Sequence, residues 1–285
     1  MSGICLLLTL WQMCLTPLTL FRREGMRKAN DYMSDIVPCG RCPECIKTRK
    51  LKWVYRLQQE NKVSKTAAFL TLTYDDDHLP IKNGVPTLLS KHHTDFIKRI
   101  RKRTGVKGIK YYSCGEYGTR TNRPHYHSII FNVPFDTLAT EDDLKSIWMH
   151  GHVDVGDVTD HSIAYVAGYV NKKIVDNDRY KDGRLPEFSR MSKGLGKSYL
   201  SESVKKYHKK KKNPFIVMED GKKLPLPRYY KEKLFDEQEQ RIVNRKGQEY
   251  IQQNPQWQDA KNELEWKERE FNKSAHNERI NRLKL

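Results

Sequence analysis

The sequence predicts an α+β fold, an antiparallel sheet with flanking helices, preceded by a cysteine-rich N-terminal segment and followed by a helical C-terminal tail. Three observations predict it. The stretch TAAFLTLTY (66–74) has the β-branched and aromatic content of a strand. GIKYYSCGE (108–116) and HYHSIIFNV (125–133) are two more such runs, and the eight residues from Tyr117 to Pro124 between them suit a hairpin with a longer loop. The segments around these strands carry apolar residues at helical spacing instead.

Taken in order, CGRCPECIKTRKLKWVYRLQQE runs from a loop into a helix that starts near Ile46. Ser90–Arg103 sets Phe96, Ile97 and Ile100 among basic residues, which is an amphipathic helix. TEDDLKSIWMHG offers Thr140 as N-cap, Asp143 three residues on and Gly151 as a stop. HVDVGDV then reads as a strand, and DHSIAYVAGYVNKKI as a helix opened by Asp160. Composition changes after Tyr180. We therefore divide the chain into an upstream extension (1–12), a cysteine-rich basic segment and helix (13–65), a core (66–180) and a basic segment with a charged helical tail (181–285).

Lys and Arg number 53 against 35 acidic residues, giving a net charge of +18 and a pI near 9.5. Such an imbalance concentrates polyanions around the chain, so nucleic acid is the expected partner. Tyrosines close to basic residues suit base stacking beside phosphate contacts. The block KKYHKKKK supplies Lys205, Lys206, Lys209, Lys210, Lys211 and Lys212 as candidate DNA-backbone contacts, with a solvated face as the alternative. Six cysteines, three of them clustered, are not the pattern of a small secreted disulfide scaffold and point to a reducing compartment. The uncharged run from Ile4 to Phe21 is interrupted by Thr9, Gln12, Thr16, Pro17 and Thr19 and has no basic region before it, so no membrane role is expected.

Side chains two apart on a strand share a face, so His125 and His127 converge while Tyr126 and Ser128 point away. A simple hairpin closed by the Tyr117–Pro124 loop puts Glu116 opposite His125, within cross-strand reach. Two imidazoles and a carboxylate could hold Mg²⁺ or Mn²⁺ with positions left for phosphate oxygens; zinc suits imidazoles as well.

At about 100° per residue, Ile163, Val166, Ala167, Val170 and Ile174 form one stripe of the later helix, while Tyr165, Tyr169 and Lys172 lie on the other side. Gly168 costs about 1 kcal/mol against Ala in a helix interior and would let a backbone approach closely, DNA being one candidate. A phenol is a poor nucleophile until its proton is drawn off. A cation that withdraws charge from a phosphate, with Lys172 nearby, would help in that direction and would give a covalent phosphotyrosine.

RPHYH followed by YVAGYVNKK resembles the two-tyrosine form of the HUH endonuclease superfamily and, within it, the replication initiators of microviruses of the gokushovirus type. FLTLTYDD, GEYG and VPCGRCPEC agree with that resemblance, which covers about residues 13–173, and MCLTPLTLF is similar to the family's start, favouring Met13. The resemblance implies an HUH/RRM-like palm. It makes His125, His127 and Glu116 ligands of Mg²⁺ or Mn²⁺, Tyr165 and Tyr169 alternating nucleophiles, and Lys172 an assisting residue. The implied reaction is a site-specific nick at the origin of circular phage DNA, rolling-circle synthesis and rejoining of the displaced strand. The implied partners are phage origin DNA with the host replication helicase and polymerase, in the cytoplasm of the bacterial host.

Cys39, Cys42 and Cys45 lie at CxxCxxC spacing, with Cys14 upstream as a fourth candidate ligand. This set would hold a structural Zn²⁺; an iron–sulfur cluster and plain reduced thiols are the alternatives. From a different class comes a non-catalytic single-stranded nucleic-acid-binding module, its sheet stacking bases on Phe69, Tyr74, Tyr111 and Tyr112. That reading leaves the histidine strand and tyrosine helix unexplained.

Overall fold

The computed structural model describes residues 14, 16, 18–23, 32–118, 120–134, 141–169, 180–219, 221 and 223–253. Its strands are β1 (Leu18–Arg23), β2 (Tyr32–Val37), β3 (Ala67–Tyr74), β4 (Ile81–Lys82), β5 (Val85–Pro86), β6 (Lys110–Tyr117), β7 (Pro124–Phe131), β8 (Gly151–Gly156), β9 (Phe188–Met191), β10 (Phe215–Val217) and β11 (Lys223–Pro225). Its helices are α1 (Pro43–Asn61), α2 (Ser90–Thr104), α3 (Glu141–Trp148), α4 (Asp160–Gly168), α5 (Glu202–Lys211), α6 (Arg228–Leu234) and α7 (Glu237–Gln253). The chain divides into two compact units, Arg49–Leu200 and Met1–Thr48 with Ser201–Leu285.

Arg49–Leu200 is built on a five-stranded antiparallel sheet in the order β8-β3-β7-β6-β9. Alternation along β3 sends Leu70, Leu72 and Tyr74 to one face, where all three are buried. They join Phe96, Ile97 and Ile100 of α2 and Leu144, Ile147 and Trp148 of α3 in one core. Polar atoms brought into it find partners: the Trp148 indole donates to the Thr73 carbonyl at 2.9 Å, and the Tyr74 and Tyr126 hydroxyls bond at 2.6 Å. Cross-strand neighbours share a face, so the register puts Tyr112, Cys114 and Glu116 of β6 with His125, His127 and Ile129 of β7 and Phe69, Thr71 and Thr73 of β3 on the opposite side.

On that opposite side the Trp53 ring of α1 meets Tyr112 with centroids 5.0 Å apart. Glu60, almost wholly buried, accepts from Lys110 Nζ at 2.7 Å and from the Gly196 backbone N–H at 2.8 Å, so its charge is compensated. Gly151 is needed where β8 abuts β3: it sits at φ +140°, and a Cβ there would lie 2.3 Å from the Asp75 backbone nitrogen.

Several elements depart from the sequence reading. α1 begins at Pro43 rather than near Ile46, which suits proline's tolerance of a first helical turn. Asp160 does not open α4; Thr159 is the N-cap, its hydroxyl accepting from the Ser162 N–H while the Ser162 hydroxyl accepts from the Thr159 N–H. β9 comes from beyond Tyr180 and closes one sheet edge, and the tail carries the β10–β11 hairpin besides its helices. The β1–β2 hairpin is a further element that the sequence reading lacks. Thr140 and the stretch Val170–Ile174 lie outside the described residues, as does everything after 253. Among the described residues no helix is long and apolar enough to cross a membrane.

His93 of α2 is fully buried, with Nε2 2.9 Å from the Ser128 hydroxyl. Burial, reinforced by the Arg190 charge, lowers its pKa from 6.5 to about 3. The folded protein therefore keeps it neutral while the unfolded chain protonates it. Its contribution to stability is full above pH 6.5 and falls by about 1.4 kcal/mol per pH unit toward pH 3. Denaturant titrations at pH 7.5 and 5 should show that His93→Leu loses about 2 kcal/mol less over this interval than the parent chain. Equal losses would refute the assignment.

Candidate active site

The β6–β7 register sets Glu116 directly across from His125. Glu116 Oε1 lies 2.9 Å from His125 Nε2 and 3.1 Å from His127 Nε2, and the carboxylate is 4% exposed. Each imidazole is oriented from behind. His125 Nδ1 is 3.1 Å from the Arg123 carbonyl, which can only accept, so the ring proton sits on Nδ1. His127 Nδ1 is 3.2 Å from the Thr71 hydroxyl. A neutral His125 held in this tautomer turns a lone pair toward a carboxylate oxygen, and that pairing is repulsive without a proton or a cation between them. The ligand atoms of all three residues lie within 4.8 Å of one another, so the donor set and its spacing fit a single cation.

The capping box at Thr159 starts α4 so that its second turn crosses this face, and Gln58 of α1 ties the helix start down through Asp160 at 2.8 Å. Ile163, Val166 and Ala167 are buried. The Tyr165 and Tyr169 rings lie 4.9 Å apart, and their centroids are 5.3 and 5.8 Å from that of His127. Both phenols thus stand on the imidazole side of the sheet. Tyr165 is 43% exposed and Tyr169 only 9%. Burial raises the Tyr169 pKa well above the phenol range, helped by its hydrogen bonds with the Tyr165 hydroxyl and the Glu116 carboxylate. The phenol therefore reaches the same carboxylate that the histidines approach.

Thr71 and the Arg123 carbonyl are site groups that the sequence reading lacks; the period-2 alternation that pairs Thr71 with His127 is the signal that could have found the first. Phe69 stacks on His127 at 5.6 Å and 11°. Gly168 faces Lys50: a Cβ there would meet its Nζ at 3.8 Å, ordinary contact distance. Lys172 lies outside the described residues. On α5, Lys206, Lys209, Lys210 and Lys211 are exposed, Lys205 pairs with Glu202 at 2.7 Å, and Lys212 pairs with Glu239. Of the aromatics that would form a base-stacking sheet, Tyr74 and Tyr112 are buried, and Tyr74 and Tyr111 are on the face opposite Phe69.

Cys14, Cys39, Cys42 and Cys45 also converge, their sulfurs within 4.8 Å of one another and without disulfides. Backbone N–H groups of Arg41 and Cys42 donate to Cys39 Sγ at 3.4 and 3.3 Å, and that of Cys39 to Cys14 Sγ at 3.2 Å. Burial opposes ionisation of Cys39, but the Thr16 hydroxyl and these N–H groups outweigh it and bring the pKa down to about 6. Burial pushes Cys14 up to about 11 and Cys45 higher still. Only a cation would let all four sulfurs ionise together, and the donor set fits a structural metal.

Residues 67–174 match the family model for replication-associated proteins of the ORF2 type. Replication-associated protein ORF2 of Spiroplasma virus 4 is 35% identical over 225 residues, 73% of this chain and 70% of that one. The chain belongs to the phage replication-associated proteins. Replication-associated protein ORF4 of Chlamydia phage 1 is 32% identical over 76% of this chain and 58% of its own, and replication-associated protein VP4 of Bdellovibrio phage phiMH2K 30% over 72% and 69%. No solved structure matches. The resemblance to microvirus replication initiators drawn from RPHYH and YVAGYVNKK therefore holds for this phage replication-associated protein, and the matched span contains both the histidine strand and the tyrosine helix.

Proposed function

We propose that this phage replication-associated protein is a two-tyrosine HUH endonuclease that nicks and rejoins single-stranded origin DNA. The observation that carries the reading is the convergence of both phenols on His127 and of the Tyr169 hydroxyl on Glu116. Glu116, His125 and His127 would hold Mg²⁺ or Mn²⁺, which when bound supplies Lewis-acid withdrawal of charge from the scissile phosphate. The Arg123 carbonyl and Thr71 keep the imidazole Nε2 atoms turned inward. One tyrosine oxygen attacks phosphorus. Its bond to phosphorus forms, the bond from phosphorus to the 3′ oxygen breaks, the phenol proton passes to solvent and the released 3′ oxygen takes one up. The phosphodiester energy is retained in the tyrosine ester, so reversal by a 3′ hydroxyl reseals DNA without a nucleotide cofactor. Two phenols on one helix face let one hold an end while the other cuts.

Incubating the chain with a labelled single-stranded origin oligonucleotide and Mn²⁺ should give a protein–DNA adduct that survives denaturation and disappears with EDTA. A folded chain that binds the oligonucleotide and forms no adduct at any Mn²⁺ concentration would overturn the reading.

A further inference from the structure

We propose a second nucleic-acid site, remote in sequence from the tyrosine chemistry: a groove in the C-terminal part of the chain that stacks an unpaired base of single-stranded DNA and grips the flanking phosphates. The groove has a volume of about 400 Å³, within the range of ligand pockets. Its walls come from the end of α5, the β10–β11 hairpin and α7, and the residues that give it chemistry are Tyr207, Lys211, Phe215, Lys223, Lys246 and Tyr250.

The aromatics are held ready. Phe215 and Tyr250 pack with centroids 4.9 Å apart, while the Tyr207 hydroxyl accepts from Asn213 Nδ2 at 2.9 Å and leaves the ring 48% exposed. Exposing so large a ring over a groove is wasteful for a structural tyrosine and suits a stacking platform, since every base has a π-face to offer. The cations sit over these rings: Lys211 Nζ is 5.5 Å from the centroid of Tyr207, and Lys223 Nζ 4.3 Å from that of Tyr250, to whose hydroxyl it donates at 2.7 Å. Lys246 is tied to the Lys211 carbonyl at 3.1 Å, adding a third ammonium at the rim. Glu249, a carboxylate lining the groove, faces the Arg245 guanidinium at 3.8 Å, so its charge opposes the lysines less than it otherwise would. Alternating ammonium and ring is the chemistry of a strand whose bases are unpaired, because duplex DNA offers phosphates but no free base faces. The lysine block on α5 thereby has a partner beyond a solvated face.

The test uses the full chain carrying Tyr165→Phe and Tyr169→Phe, which cannot cut, so its outcome is independent of the nuclease reading. Affinity for a fluorescent oligo-dT of about 12 nucleotides is measured against salt. Lys211→Ala with Lys223→Ala should weaken binding about tenfold and flatten the salt slope by about 1.4. Tyr207→Ala should weaken it about tenfold with the slope unchanged. Ultraviolet cross-linking of the same probe to the chain without these groove changes should attach nucleotide to peptides bearing Tyr207, Phe215 or Tyr250. The proposal is overturned if the groove variants bind like the parent, if cross-links fall only outside residues 207–250, if a duplex of equal length loses as much affinity, or if oligo-rU binds more tightly than oligo-dT.

Discussion

Replacing both Tyr165 and Tyr169 by Phe should remove the covalent adduct entirely, a loss of at least about 10⁴-fold in cleavage. The substitution deletes two oxygen atoms and keeps both rings. The contacts of those rings, with each other at 4.9 Å and with His127 at 5.3 and 5.8 Å, do not use the hydroxyls. Fold and oligonucleotide affinity should therefore persist, as thermal unfolding and fluorescence anisotropy would show. An adduct surviving the double change would sink the nucleophile assignment. The single changes should differ. Tyr165 is 43% exposed, whereas Tyr169 is 9% exposed and holds its proton more tightly because it is buried against Tyr165 and Glu116. We expect Tyr165→Phe to lose about 10²-fold or more of the first cleavage, and Tyr169→Phe to cut and then fail in the second transfer, read as unjoined product on a gel. The opposite order of effects would reverse the roles.

The parts of this site that the sequence makes legible are those where side-chain period alone decides. His125 and His127 share a face because any strand puts i and i+2 on one side, and Glu116 meets them because a hairpin of that loop length leaves little freedom in register. The order of sheet strands and helices from Ala67 to Gly168 follows from the same alternation and from the apolar spacing of α2 and α4. What stays hidden has its own causes. β9 is four residues long and carries Ser189 and Arg190; as an edge strand it pairs on one side only, so little apolar signal is required of it. The start of α4 differs by one residue from the sequence reading because Thr159 and Asp160 are both good caps, and only the reciprocal bonds with Ser162 choose between them. Thr71 looks like any strand threonine until β3 is paired with β7. Tyr169 lies off the apolar stripe, as its spacing indicates, yet is buried, because α4 has the sheet's histidine face beneath it rather than solvent.

Stripping metal from the cysteine cluster should have the other large effect, this time on structure. Cys42 is fully buried and Cys45 nearly so, while Cys14 comes from 25 residues before Cys39, so the cluster closes a long loop that has little apolar matter to hold it. In small zinc domains the metal supplies about 10–16 kcal/mol of apparent folding free energy, more than such a segment could gain from its own contacts. Protein purified under reducing conditions should contain about one zinc per chain, consistent with a four-thiolate site. Its thiols should react slowly with a disulfide reagent, and a strong chelator should release both the zinc and the slow thiols together. Cys42→Ser should lose the metal and expose residues 14–45 to proteolysis, because a serine oxygen is a poor zinc ligand and leaves three sulfurs crowded without a shared cation. Iron with visible absorption in place of zinc would replace one metal by another at the same four sulfurs. Four fast-reacting thiols in freshly purified, metal-free and protease-resistant protein would instead show that hydrogen bonds from Arg41, Cys42 and Cys39 suffice to hold the cluster, and the metal assignment would fall.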